Sequence, residues 1–231
     1  RLSWENGACT LYGIDQQQFM DSVFDYFDLE TDYGMVKEEL SRMDKHLRAA
    51  VAFGSGMRLL RQDLWEVLLS FVISQNNGIP RIKQIVEALC VHFGKPLSAG
   101  QGNSFPEPEA LAGASLESLN LCRGGYRCRY ISEIARKITQ APSFLTALKA
   151  LPKPEARDLL LSLPGIGQKV ADCVLLYSGL DRSAFPVDRW IKRVMEELYF
   201  HRETDEDTIR KFSRETFGDL AGIAQQYLFY Y

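Results

Sequence analysis

The chain has 231 residues, of which 46% are hydrophobic and 25% charged, enough apolar material for one large domain or two small ones. Its longest apolar runs fall far short of the roughly 20 residues that cross a bilayer, and no charged-then-apolar leader opens it, so no membrane partner and an intracellular setting are expected. The formal net charge of −3 argues mildly against a nucleic-acid partner, and the five cysteines, Cys9, Cys90, Cys122, Cys128 and Cys173, have neither the paired spacing of a zinc ribbon nor the density of a disulfide framework.

The sum hides an uneven distribution. Residues 11–50 hold nine acids and four bases, giving −5, whereas residues 121–138 hold five arginines and lysines against Glu133, giving +4. A second basic cluster follows at Arg182, Arg189, Lys192 and Arg193. Such runs fit solvated helix faces as well as a polyanion-binding surface. The first residue is Arg1 rather than a methionine, from which a fragment with its true N-terminus upstream is expected.

In chain order, residues 1–14 alternate loosely around the turn pair Asn6–Gly7, so RLSWE and ACTLYGI read as two strands. Almost everything afterwards has helical period. Leu64, Val67, Leu68 and Phe71 form one stripe behind an N-cap at Asp63, with Glu66 three residues on, and this helix runs into SQNN. Ile82, Ile85, Val86, Leu89, Cys90 and Phe93 mark the next helix, which stops at Gly94. A proline- and glycine-bearing loop of about twenty residues is expected after it. Helices then recur near 127–140, 154–162, 168–178, 189–199, 206–216 and 219–231, with Pro142, Pro164 and Pro186 between them. The expected architecture is mainly α: a two-lobed helical bundle with a short N-terminal β segment.

The stretch LPGIGQKVADC, residues 163–173, joins two of these helices. Pro164 ends the first, while Gly165 and Gly167 permit backbone angles and a close approach that side chains would block. Because the second helix starts near Gln168, its unpaired N–H groups, that of Val170 among them, and its positive dipole end suit a phosphate oxygen. A plain helix joint fits the five residues LPGIG equally well. Lys169 adds chemistry: the dipole disfavours an ammonium in a first turn, and an amine nucleophile has to be neutral. Cys173, at i+4, shares its face, although a small buried hydrophobe would also be at home there. In FPVDRW, Asp188 reads as the N-cap of the 189–199 helix, an ionised and fixed carboxylate of the kind needed where positive charge develops. In the last helix Leu220, Ile223, Ala224, Tyr227, Leu228 and Tyr231 form an unbroken core stripe, leaving Gln225 and Phe229 together beside it.

These residues resemble the helix-hairpin-helix DNA glycosylase superfamily, whose signature is LPGxGxKxA followed by VD about twenty residues later. The stretch 163–173, with SQNNGIPRI (74–82), GGYRCRY (124–130) and AGIAQQYLF (221–229), resembles the 8-oxoguanine DNA glycosylase branch in particular, in a prokaryotic style. The resemblance covers roughly residues 20–231. It implies a bifunctional glycosylase and AP lyase acting as a monomer on double-stranded DNA that carries 8-oxoguanine opposite cytosine, with neither cofactor nor catalytic metal. It makes Lys169 the nucleophile and Asp188 the catalytic carboxylate. Asn76 and Asn77 would fill the hole left by the extruded base, Arg81 and Arg127 would read the orphaned cytosine, and Tyr126 would be the aromatic wedge. Cys173 and Phe229 would sandwich the base while Gln225 reads its edge. On this reading residues 1–14 are a remnant of an N-terminal β-domain, and residues 15–231 form the catalytic domain, with its hairpin at 154–180. Gly78 departs from the family's third asparagine, and Trp190 stands where eukaryotic members place a phosphate-contacting histidine. Two alternatives share parts of the signature: a glycosylase for oxidised pyrimidines of the endonuclease III branch, and a non-catalytic helix-hairpin-helix DNA-binding module.

Overall fold

The computed structural model describes residues 2–6, 8–97 and 102–231. Strands β1 (Leu2–Glu5) and β2 (Ala8–Leu11) pair antiparallel, with Trp4 opposite Cys9. Gly7 of the predicted turn pair lies outside the described residues, as do residues 98–101 of the long loop.

The acidic stretch turns out to be a series of helix starts. Asp15 caps α1 (Gln16–Gln18) in a capping box, and a π turn at Phe19–Val23 leads into α2 (Phe24–Tyr26). Asp32 caps α3 (Tyr33–Met43) and Asp44 caps α4 (Lys45–Phe53), each carboxylate accepting from two backbone N–H groups. Asp28 is buried instead. It accepts from the Tyr33 hydroxyl at 2.9 Å and pairs with Arg61 at 2.7 Å and Arg182 at 2.8 Å, tying this segment to the loop behind the hairpin.

Helix α5 (Leu64–Ser74) starts at the predicted Asp63 cap and is apolar on nearly every side, so it lies at the centre and packs against α6 (Ile79–Phe93). The expected long loop holds two short helices, α7 (Pro108–Ala112) and α8 (Leu116–Asn120), which anchor Leu111 and Leu119. Five residues are too few to show a period, which hid both. Helix α9 (Arg127–Gln140) packs on α5, α7 and α8, and α10 (Phe144–Ala150) follows Pro142 at once, burying Phe144 and Leu148.

Helices α11 (Lys153–Leu161) and α12 (Gln168–Tyr177) form the hairpin, and α12 lies against α5. Helix α13 (Arg189–Met195) is shorter than expected, because the chain passes into a π turn at Glu196–Phe200 that ends on His201 in the left-handed region. Helices α14 (Glu206–Phe217) and α15 (Ala221–Tyr230) complete a second group, with α3, α4 and α13, around the same continuous core. The predicted stripe is buried from Ile223 to Leu228, while Leu220, ahead of α15, is half-buried and Tyr231 lies past the helix end, exposed, with its ring 5.8 Å from that of Phe53. Among the described residues no helix is long and apolar enough to cross a membrane.

Candidate active site

The seam between the two helix groups opens into a cleft of about 740 Å3 lined by Asn76 and Asn77 on one side and by Gly167, Lys169, Val170, Asp188 and Trp190 on the other. All seven were singled out in the sequence, and they meet at one surface. Gly165 has a positive φ of 76°, and the space where a Cβ would stand is filled by the Tyr130 ring at 2.5 Å. Gly167 is extended, with open space where its side chain would be, and no side chain caps α12. The N–H groups of Gln168, Lys169 and Val170 therefore face outward without an intrahelical partner. Val170 itself buries its side chain, so only its backbone is available to a ligand.

Lys169 reaches back over the face of Phe71, with Nζ 5.4 Å from the ring centroid. Phe71 is stacked in turn on Tyr177, at 5.2 Å and 25°. Phe71 reads as core in the sequence; in the structure it is half-buried and forms the wall behind the amine. Cys173 lies one turn deeper. Burial pushes its thiol up to about 12, against the pull of the Lys169 charge and with the repulsion of Asp172 and Asp188. It is a neutral, soft surface under ordinary conditions.

Asp188 is the N-cap of α13, its Oδ1 accepting from the Ile191 N–H at 2.8 Å. The second carboxylate oxygen stays available toward the cleft it lines. Three residues along α12 from Lys169, buried Asp172 pairs with Arg157, and Arg210 Nε lies 3.4 Å from its Oδ2, an ion-pair contact without hydrogen-bond geometry. Burial raises the Asp172 pKa and the two arginines draw it down. These contacts tie α12 to α11 and α14.

The base-contacting candidates lie beside the cleft rather than in its lining. Gln225 is buried, its Nε2 donating to the Pro186 carbonyl at 3.3 Å, two residues before Asp188, while its Oε1 accepts from Gln226. Phe229 is 46% exposed at the end of α15, where the Trp190 indole donates to its carbonyl at 3.3 Å. Across the cleft, Asn76 has a φ of 49°, and its Nδ2 lies 3.4 Å from the hydroxyl of exposed Tyr126. Asn77 turns inward to the Ile73 carbonyl at 2.8 Å. Arg81 is exposed, with a single long contact of 3.4 Å to the Arg123 carbonyl. Arg127 is 5% exposed: its guanidinium packs under the Tyr126 ring at 4.4 Å and donates to the carbonyls of Gln75 and Gly124. Tyr177, Gln226 and Gln75 carry no sequence signal beyond their types, and Phe71 carries only that of a core stripe. Trp190 is the exception, since an aromatic two residues after a capping aspartate stands out.

A two-group helical fold with a hairpin presenting a lysine to a capping aspartate defines a class, the helix-hairpin-helix repair glycosylases. The family model described as HhH-GPD superfamily base excision DNA repair protein matches residues 69–217, and that described as 8-oxoguanine DNA glycosylase, N-terminal domain, matches residues 8–68. The chain belongs to the HhH-GPD superfamily. It is 30% identical over 233 residues to a probable N-glycosylase/DNA lyase of Methanothermobacter thermautotrophicus, covering 91% of this chain and 72% of that protein. Over 158 residues it is 36% identical to the N-glycosylase/DNA lyase of Saccharomyces cerevisiae, covering 62% of this chain and 42% of the yeast protein. The fold superposes with a TM-score of 0.94 and 40% identity on the Clostridium acetobutylicum 8-oxoguanine glycosylase/lyase solved with double-stranded DNA containing cytosine opposite 8-oxoguanine, covering all of this chain and 80% of the other.

Proposed function

We propose that this chain is an N-glycosylase/DNA lyase that removes 8-oxoguanine opposite cytosine from duplex DNA, acting as a monomer inside the cell. The observation that carries the reading is the cleft in which Lys169 and Asp188 face the Asn76–Asn77 loop. C1′ of a stacked nucleotide is out of reach, so the lesion has to be extruded, at a cost of a few kcal/mol. The wedge of Asn76, Asn77 and Tyr126 offsets that cost, and the hairpin at Gly165–Gly167 holds a backbone phosphate on the free N–H groups of α12.

As the C1′–N9 bond breaks, positive charge develops on the sugar and the Asp188 carboxylate stabilises it. Lys169 Nζ gives its electron pair to C1′ as the base leaves with the bonding pair; of the two protons the amine then loses, one goes to the base and one to O4′ as the C1′–O4′ bond opens, leaving the sugar as an imine on Nζ. Loss of a C2′ proton then expels the 3′ phosphate by β-elimination. Cys173 and Phe229 hold the extruded base between sulfur and ring, with Gln225 exchanging its Pro186 contact for the base edge. Arg81 is the exposed reader of the orphaned cytosine. Arg127 joins it only by giving up the carbonyls that hold it in the free protein.

The test is covalent trapping. Wild-type protein incubated with an 8-oxoguanine:cytosine duplex and borohydride should give an adduct stable to denaturing electrophoresis, and Lys169→Gln should give none. Equal trapping by the variant would remove Lys169 from the mechanism, and a wild type that traps only duplexes bearing oxidised pyrimidines would move the chain to the endonuclease III branch.

A further inference from the structure

Three DNA-facing segments lie far apart in the chain: the Asn76–Asn77 loop, the Tyr126–Arg127 turn and the 163–167 hairpin. All three touch Gln75. Helix α5 ends at Ser74, and Gln75 turns extended, with φ −57° and ψ 122°, so its carbonyl leaves the helix direction. That carbonyl accepts from the Arg127 guanidinium, at 2.9 Å from Nε and also from Nη2, across 52 residues of sequence. The side chain doubles back the other way. Nε2 donates to the Val72 carbonyl at 3.2 Å and to the Gly165 carbonyl at 3.1 Å, across 90 residues.

A side-chain amide has two N–H donors, and both are used here. A residue that merely ended α5 would need only the bond to Val72. The second donor instead fixes the hairpin glycine whose positive φ shapes the phosphate grip, and the next residue, Asn76, is held in the left-handed region in reach of Tyr126. A non-glycine residue stays in that region only when its surroundings determine it.

We propose that Gln75 is a positioning residue that joins the wedge loop, the Tyr126–Arg127 turn and the phosphate-gripping hairpin into one rigid frame, so that gripping the backbone and evicting the base occur in register. The proposal rests on the glycosylase reading above. It places the frame in the eviction step, upstream of the attack by Lys169.

Gln75→Met keeps the side-chain length and loses both donors, and Gln75→Glu sets an oxygen against two carbonyls. On an 8-oxoguanine:cytosine duplex both variants should lower the single-turnover excision rate roughly tenfold, the size expected for one to two lost hydrogen bonds. With protein in saturating excess, so that a looser phosphate grip does not enter, the rate of borohydride trapping on a duplex with a ready-made abasic site, where no base has to be evicted, should stay within about twofold of wild type. Amide hydrogen exchange of the free variants should quicken at residues 76–77 and 163–167 together. Unchanged excision, an equal loss on both DNAs, or faster exchange at one segment alone would overturn the frame. A wild type that leaves 8-oxoguanine in place would overturn the functional reading instead, and the exchange measurement would still decide the frame.

Discussion

Phe229 and Arg81 are the side chains whose proposed roles separate most cleanly from the fold, since both are exposed and neither fills the core. Phe229→Ala should lose stacking on the extruded base worth roughly 1–3 kcal/mol. It should therefore slow 8-oxoguanine excision while leaving affinity for an abasic duplex, which offers no base to stack, close to wild type. An equal loss on both duplexes, with a lowered melting temperature, would make Phe229 a structural residue that steadies the end of α15. Arg81→Ala should narrow the ratio of excision rates opposite cytosine and opposite adenine, because a guanidinium donates to the acceptors of cytosine but not to the adenine amino group. If that ratio holds while binding weakens as a whole, Arg81 contacts only phosphate. Lys169 stood out because the dipole disfavours an ammonium in a first helical turn, whereas Asp188 read first as an ordinary N-cap and Asn76 was singled out by the family resemblance alone. Gln225 was singled out by the resemblance, with helical spacing in agreement, but its hydrogen bond to Pro186 depends on a loop 39 residues away that no spacing reveals.

Among the elements, the hairpin separates two demands that the sequence pattern LPGIG merges. Gly165 is required by backbone angle and by the Tyr130 ring beneath it, whereas Gly167 is extended and meets nothing. Gly165→Ala should lower the melting temperature, since the left-handed region costs roughly 1–2 kcal/mol for an L side chain and the ring has to move. Gly167→Ala should melt like wild type yet bind duplex DNA more weakly, because its methyl occupies the approach to the free N–H groups of α12. Thermal melting and a binding titration on the same two variants check both halves. The longer helices were legible: α6, α9 and α14 each bury one face, and α5 and α12, buried on most sides, are 11 and 10 residues long. The short ones were not: α7, α8 and α10 are held by a few anchors such as Leu111, Leu119 and Phe144, which carry no period. The acids of residues 11–50 were read by charge alone, and their use as caps at Asp15, Asp32 and Asp44 appears only once the helix starts are known.

Over the whole molecule, burial has left several acids that hold their protons late. The thiol of Cys122 is pushed up to about 11 and that of Cys173 to about 12, from near 9, while the hydroxyls of Tyr33 and Tyr177 rise to about 12 from near 10. These pKa values are raised in the folded state, so the unfolded chain releases the protons first. The stability they contribute is complete below about pH 9 and is lost as the pH climbs toward 12. The melting temperature should fall progressively above about pH 9, and a level profile from pH 9 to 11 by circular dichroism would contradict this. The placement of charge has a kinetic consequence as well. Arg81 reaches the Arg123 carbonyl and Arg127 donates to Gln75 beside the Asn76–Tyr126 contact, so three arginines gather around one loop at the cleft, and a polyanion meets that local charge rather than a body of net charge −3. Within about a Debye length, near 8 Å at physiological salt, that local field draws a phosphate backbone to this edge whatever the sign of the total. The attraction fades as added salt shortens the Debye length, so capture of duplex DNA at this edge should weaken with ionic strength although the protein is anionic in sum.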